Sequence, residues 1–123
     1  MYERKIPKDI SCGMAMTMEI IGGKWKPCLI RNIQKGTNRP SDIHRSNLNA
    51  TKRVLNQQLK ELEEHGIISK KIYHQLPLKV EYQLTDLGMS LLPMMDMMST
   101  WGEQYNTSPE RIPKFEVIET HVL

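Results

Sequence analysis

Five polar side chains gather near the middle of the chain: Thr51, Lys52, Arg53, Asn56 and Gln57, within NATKRVLNQQLKELEEHG at residues 49–66. Their chemistry is that of contact with a nucleic acid. A guanidinium offers two parallel donors that match guanine O6 and N7, and a side-chain amide matches the N6 and N7 edge of adenine. Hydroxyl and ammonium groups at a helix start suit phosphate oxygens. The stretch reads as one helix, with Asn49 as its N-cap and Gly66 just beyond its end. Val54, Leu55, Leu59 and Leu62 make an apolar stripe, and the polar set lies off it. Gln58 sits nearer the stripe and is a weaker candidate for base reading. The order of charges is unusual. Lys52, Arg53 and Lys60 come early and Glu61, Glu63 and Glu64 late, which opposes the helix dipole at a cost of roughly 0.3–1 kcal/mol each. A solvated face would account for the charges singly; a helix whose front meets a polyanion accounts for their order.

The wider charge pattern agrees with the second reading. The chain of 123 residues has a net charge of +3, but residues 24–79 hold twelve Lys/Arg against four Asp/Glu, while residues 80–123 hold two against seven. A basic middle suggests an anionic partner, most often nucleic acid. Length and composition indicate one globular domain. No leader-like or membrane-spanning run is visible, and two cysteines are too few for a disulfide scaffold, so a cytoplasmic setting is expected.

These side chains need a frame. Ser11 is placed to cap a first helix over residues 12–21, stopped by Gly22 and Gly23. A second helix is expected from Trp25 to Lys35, with Trp25, Leu29 and Ile33 on its core side, Pro27 in its first turn and Gly36 as its stop. Pro40 opens a short third helix, and the 49–66 helix follows. The period then changes to two: Ile68 and Ile72, and beyond HQLPL at 74–78, Val80, Tyr82 and Leu84, predict a hairpin. A last long helix is expected from Thr85, with Leu87, Leu91, Met94, Met98, Trp101 and Tyr105 spaced as a heptad seam and Pro93 bending it. The fold class is therefore mainly α, or α+β: a winged helix-turn-helix with a two-stranded β-hairpin wing and terminal dimerisation helices. Residues 1–10 read as an arm, 11–105 as the domain and 106–123 as a tail.

In that frame Lys79 stands beside the wing loop and Arg39 at the start of the third helix, both able to hold phosphate. Alternation puts Lys70 and Lys71 on opposite faces of the hairpin. The wide Met-rich seam is suited to a second subunit, with Met14, Met18, Leu91, Met94, Met98, Trp101 and Tyr105 as its expected interface. Cys28 is expected to pack in the core. Cys12 lies at the first helix, with Lys5 and Lys8 nearby in sequence, a setting in which a thiol becomes reactive; an inert packing role is the competing reading.

Several separated strings resemble the HxlR family of bacterial winged helix-turn-helix regulators: Cys12 before the first helix, IGGKW at 21–25, LNQQLKELEEHGII at 55–68, VEYQLTDLG at 80–88 and LLPMMDMM with WG between 91 and 102. The resemblance implies a homodimer on duplex DNA, with Arg39, Thr51, Lys52, Arg53, Asn56, Gln57 and Lys79 as the DNA-binding set and Cys12 as a candidate redox sensor. It implies no cofactor. An enzyme is not expected: His44, His65, His74 and His121 are scattered, no Cys/His spacing suits zinc, and IIGGKW lacks the spacing of a phosphate loop. The competing class is a winged-helix protein–protein interaction module without DNA binding.

Overall fold

The computed structural model describes residues 12–111. Expectations about the first ten residues, the Ser11 cap, Lys5, Lys8, His121 and the end of the tail lie outside them. Helix α1 (Gly13–Ile21) starts after Cys12, and α2 (Lys26–Gln34) carries Pro27 in its first turn. Helix α3 (Pro40–Ser46) opens on its proline. Helix α4 (Lys52–Glu64) begins later than the sequence suggested. The turn before it is wound inward: the Asn47 side chain is buried and donates to Asn32 Oδ1 at 2.9 Å and to the Ile43 carbonyl at 2.8 Å. The Ala50 N–H closes onto the Asn47 carbonyl at 3.0 Å. Asn49 therefore belongs to the turn, and Thr51 is the cap, its Oγ1 accepting from the Val54 N–H at 3.1 Å. Gly66, at φ +74°, takes the left-handed conformation beyond the helix end that glycine adopts without penalty.

Strands β1 (Ile68–Tyr73) and β2 (Lys79–Leu84) pair antiparallel, Ile68 with Leu84 through to Tyr73 with Lys79, and leave HQLPL as the loop. The edge of β2 is covered, since the Tyr82 N–H donates to the Asn38 carbonyl at 2.8 Å. Helix α5 (Asp86–Met89) is held under α4's exit. Thr85 Oγ1 accepts from the Gly88 N–H and lies within hydrogen-bond distance of the Gly66 and Ile67 carbonyls. A side-chain carbon on Gly88 would collide with the Ile67 carbonyl.

The expected single last helix is two. A helix running through Pro93 would lack one hydrogen bond and push the ring into the carbonyl four residues back. The chain turns at Ser90 and Leu91 instead, and Pro93 falls in the first turn of α6 (Leu92–Thr107), where it is tolerated. The segment to Leu91 and that from Leu92 are separate compact units. In the second, α6 stacks Trp101 on Tyr105, centroids 5.5 Å apart, and a 3-10 turn follows at Pro109–Arg111.

The core of the first unit is built from Ile21, Leu29, Ile30, Ile33, Ile43, Leu55, Leu59, Leu62, Ile67, Ile68 and Tyr82. Three residues depart from expectation. Val54 is 40% exposed, because the buried stripe of α4 is Leu55, Leu59 and Leu62 and Val54 lies a quarter-turn aside. Cys28 is exposed, since Lys26, Leu29, Ile30 and Ile33 occupy the inward face of α2. Ile72, near the wing tip, is 50% exposed, so alternation marks burial only at the base of the hairpin.

One of the late acids of α4 has a structural use. Glu61 accepts the ammonium of Lys26 at 2.6 Å, with side chains only 16% and 4% exposed. Burial alone would push the Glu61 carboxyl up. Hydrogen bonds from Lys26 and Gln57, with the Lys26 and His65 charges, outweigh that and hold it below its ordinary 4.5. Removing one partner of a buried pair leaves an uncompensated charge and costs about 3 kcal/mol or more. Glu61→Ala is expected to lose about that much in urea unfolding, and a double change to Lys26→Met with Glu61→Leu far less. A depressed carboxyl stabilises the fold fully above its unfolded value and ceases to as pH falls through its lower folded value. Unfolding free energy should therefore fall as pH drops below about 4.5, and more shallowly in Glu61→Gln.

Candidate nucleic-acid interface

Helices α3 and α4 with their tight turn form a helix-turn-helix, and the β1–β2 hairpin stands beside it. Burial of Leu55, Leu59 and Leu62 turns Arg53 and Gln57, on the opposite side of α4, outward; Asn56 on the flank and Thr51 and Lys52 at the open N-terminal end are exposed as well. The side chains differ in how they are held. Thr51 Oγ1 is engaged as the cap. Gln57 Nε2 donates to Glu61 Oε1 at 3.3 Å. Asn56 Oδ1 lies 3.0 Å from Nε2 of His44 on α3. Arg53 lines a shallow depression of about 340 Å³ with Val54, Gln57, Gln58 and Glu61.

Gln58 is turned the other way. Its Oε1 accepts the Trp25 N–H at 2.9 Å, which satisfies a free donor at the start of α2. Gly23 is where a side-chain carbon would come within 2.8 Å of that same oxygen. The GGKW string thus has a packing function: Gly23 leaves room for Gln58, Trp25 supplies the donor, and Lys24 rests over the Trp25 ring at 5.3 Å.

At the wing, Arg39 and Lys79 come together through Glu81. Its carboxylate accepts from Lys79 at 3.0 Å and Asn38 at 3.3 Å, and Arg39 lies 4.0 Å away. Hydrogen bonding from Lys79 is the largest influence on Glu81, and the group is held below its ordinary value. Lys79 and Lys71 also lie 4.7 and 5.4 Å from the Tyr73 ring centre. Lys70 lies over Tyr82 instead, at 5.8 Å, on the other face of the hairpin. An open groove of about 480 Å³ runs between Arg39, Pro40 and Ser41 on α3 and Pro77, Leu78 and Lys79 on the wing. A second, of about 450 Å³, lies between His44 and Arg45 on α3 and Ala50 and Lys52 at the head of α4.

The structure thus brings Lys52, Arg53, Asn56 and Gln57 onto one exposed helix face, and Arg39 and Lys79 onto one groove. Sequence reasoning missed His44 and Glu81. His44 was set aside with the scattered histidines, and only the pairing of α3 with α4 brings it to Asn56. Glu81 lies at an alternate strand position from Lys79, and that same-face spacing was the available signal. Cys12 is exposed, as are Met14, Met18, Met98, Trp101 and Tyr105, while Leu91 and Met94 are half-buried. Among the described residues, no group of His, Cys, Asp and Glu is placed to hold a metal ion, and no helix is long and apolar enough to cross a membrane.

Comparison with known proteins adds to this geometry. The HxlR-like helix-turn-helix family model matches residues 20–110. The HTH-type transcriptional regulator YkvN of Bacillus subtilis (strain 168) is 39% identical over 116 residues, covering 94% of this chain and 98% of its own. Among solved structures, the redox regulator HypR in its reduced form is 39% identical, with a TM-score of 0.77 over 82% of this chain and all of its own. The HTH-type regulator ytcD is 40% identical, with a TM-score of 0.74 over 77% and 97%.

If Gln58 is structural, Gln58→Ala should lower stability by about 1–3 kcal/mol, the cost of leaving a partly buried N–H unpaired. Chemical unfolding measures this, and a stability equal to wild type would remove the Gln58–Trp25 bond from the account.

Proposed function

The chain belongs to the HxlR-like helix-turn-helix family and is a DNA-binding transcription regulator, and we propose that it works as a homodimer reading a palindromic site in duplex DNA. The head of α4 enters the major groove, as recognition helices do. Arg53 and Asn56 reach base edges, with Gln57 as a further reader. Thr51 and Lys52 meet the adjoining phosphates, and Arg39 and Lys79 grip the backbone beside the wing. The observation that carries this reading is that Thr51, Lys52, Arg53, Asn56 and Gln57 at α4's front are all exposed while Leu55, Leu59 and Leu62 are buried. The order of charge along α4 fits it: the cations lie at its front, and Glu61, further back, is engaged by the buried Lys26.

Two copies would place their recognition helices about one duplex turn, ~34 Å, or a multiple apart. Support for a second copy comes from large apolar side chains left in the open. Met14 and Met18 on α1 are 80% and 56% exposed, and on α6 Met98, Trp101 and Tyr105 are 45%, 66% and 47% exposed. Soluble chains rarely leave such faces uncovered. Residues 11–105 then serve as one DNA-binding and dimerisation domain acting in the cytoplasm, with no catalytic role. Cys12 is the candidate thiol for a signal: it is exposed at the start of α1, and the similar HypR is a redox regulator. Its modification would alter the spacing of the recognition helices.

Gel-shift titration across salt tests the reading. Affinity for a genomic site should fall linearly in log–log form, with a slope set by the phosphates neutralised. Lys79→Ala should weaken all sequences alike and reduce the slope by about one, whereas Arg53→Ala should cost about 1–3 kcal/mol at one base pair. A purified protein that binds no genomic fragment at low salt would point instead to a protein–protein interaction module. DNA affinity unchanged after alkylation of Cys12 would remove the thiol signal.

A further inference from the structure

His44 lies on α3, the helix that does not enter the groove, yet its ring nitrogen Nε2 meets the side-chain oxygen of Asn56 at 3.0 Å. The two residues come from the two arms of the helix-turn-helix, twelve positions apart. His44 is half-buried and Asn56 exposed on the outward face of α4. We propose that His44 is a positioning residue that decides which base edge Asn56 reads; this rests on the DNA-reading role given to α4 above.

The chemistry runs as follows. An unrestrained Asn amide turns so that its oxygen accepts from adenine N6–H while its nitrogen donates to N7, the usual pairing. Here Oδ1 is directed at His44 Nε2. An oxygen accepts, so the ring nitrogen must donate. One lone pair of Oδ1 is taken by the neighbouring helix, so the amide is fixed about its last torsion with its oxygen turned towards α3, and its N–H groups are the edge left to address the DNA. A fixed donor selects an acceptor. In the major groove the acceptor-rich edge is that of guanine, with N7 and O6 side by side; adenine offers N7 beside a donor. His44 thereby moves Asn56 from adenine towards guanine.

Other groups near His44 do not duplicate this function. Arg45, the next residue on α3, is paired with Asp42 on its own helix. Lys52 lines the same groove as His44 and suits phosphate as a mobile point charge, unable to orient an amide.

Selection from a random duplex library tests the proposal, using wild type, His44→Ala, His44→Gln and Asn56→Ala, each checked for helical content by circular dichroism. Gln is chosen because its amide nitrogen can stand where Nε2 stands and donate in the same direction. In wild type one operator position should favour guanine. In His44→Ala that position should move towards adenine by about tenfold in relative enrichment, the discrimination a single well-placed amide supplies. His44→Gln should restore guanine, and Asn56→Ala should flatten the same position whatever stands at 44. Replacing that guanine by 7-deazaguanine should weaken wild type and leave Asn56→Ala unaffected. A His44→Ala profile identical in shape to wild type, with affinity lowered evenly, would overturn the proposal and make His44 a backbone contact. So would a shift at a position that Asn56→Ala leaves untouched. A wild-type selection that enriches no sequence would remove the DNA-reading premise, and this proposal with it; an enriched site indifferent to residue 44 removes this proposal alone.

Discussion

A clasp between the start of α2 and the middle of α4 holds the helix that carries the candidate base-reading residues. Two bonds make it: the buried Lys26–Glu61 pair at 2.6 Å and the acceptance of the Trp25 N–H by Gln58 at 2.9 Å. Gln58 and Glu61 are three apart and share one edge of the helix. Below them Leu55, Leu59 and Leu62 are fully buried. Apolar contact is non-directional and would tolerate some rotation of α4 about its axis. A pair of directed polar bonds would not. The clasp thereby narrows the rotation that the buried stripe allows, and with it the directions in which Lys52, Arg53, Asn56 and Gln57 are exposed. Buried ion pairs are weak evidence for stability; what this one restrains is the orientation of α4 against α2.

Glu81 adjoins two of the candidate phosphate-binding cations, which at first sight opposes binding. Glu81 gathers Asn38, Arg39 and Lys79, and Glu61 holds Gln57 as well as Lys26. Long cationic side chains lose roughly 1.5–2 kcal/mol of rotamer freedom when they are pinned. An acid that already restrains Lys79, with the Tyr73 ring at its other side, leaves less of that loss to the moment of binding. The same acid weakens the attraction of a distant phosphate.

Much of this was legible beforehand, for identifiable reasons. The helix ends with strong local chemistry, Pro40 at a first turn and Gly66 beyond a last one, lie where their residues put them. The hairpin and its five-residue loop follow from period-two spacing. The apolar heads of α4 were plain except for Val54. The failures were of two kinds: a distant residue outcompeting a local signal, and a local breaker, Pro93, given too little weight. Asn49 is a good cap by type, but Asn47 is drawn into the core by Asn32 and carries the turn past it. A heptad seam can be counted straight through Pro93, but the backbone cannot continue as one helix there. Lys26 looked like one more surface cation of a basic segment; only its partner, 35 residues later, makes it a buried one. Base-reading candidates were visible because exposure and residue type suffice for them. Their positioning residues were not, because His44 and Glu81 matter only through contacts.

The turn between α3 and α4 connects these findings. A reading unit split across two helices has fixed geometry only if the helices keep their separation. The two bonds from Asn47, to Asn32 on α2 and to Ile43 on α3, fasten the end of α3 to the helix that the clasp already fastens to α4. Three helices are therefore joined by short polar bonds at two places, the start of α2 to α4 and the end of α2 to the end of α3, and by apolar contact elsewhere. If two copies pair as proposed, a change in the spacing of their α4 helices would move each helix-turn-helix as a unit, leaving the His44–Asn56 distance unaltered. Control of whether such a dimer binds would then be physically separable from control of which sequence it binds, which is internal to each helix-turn-helix.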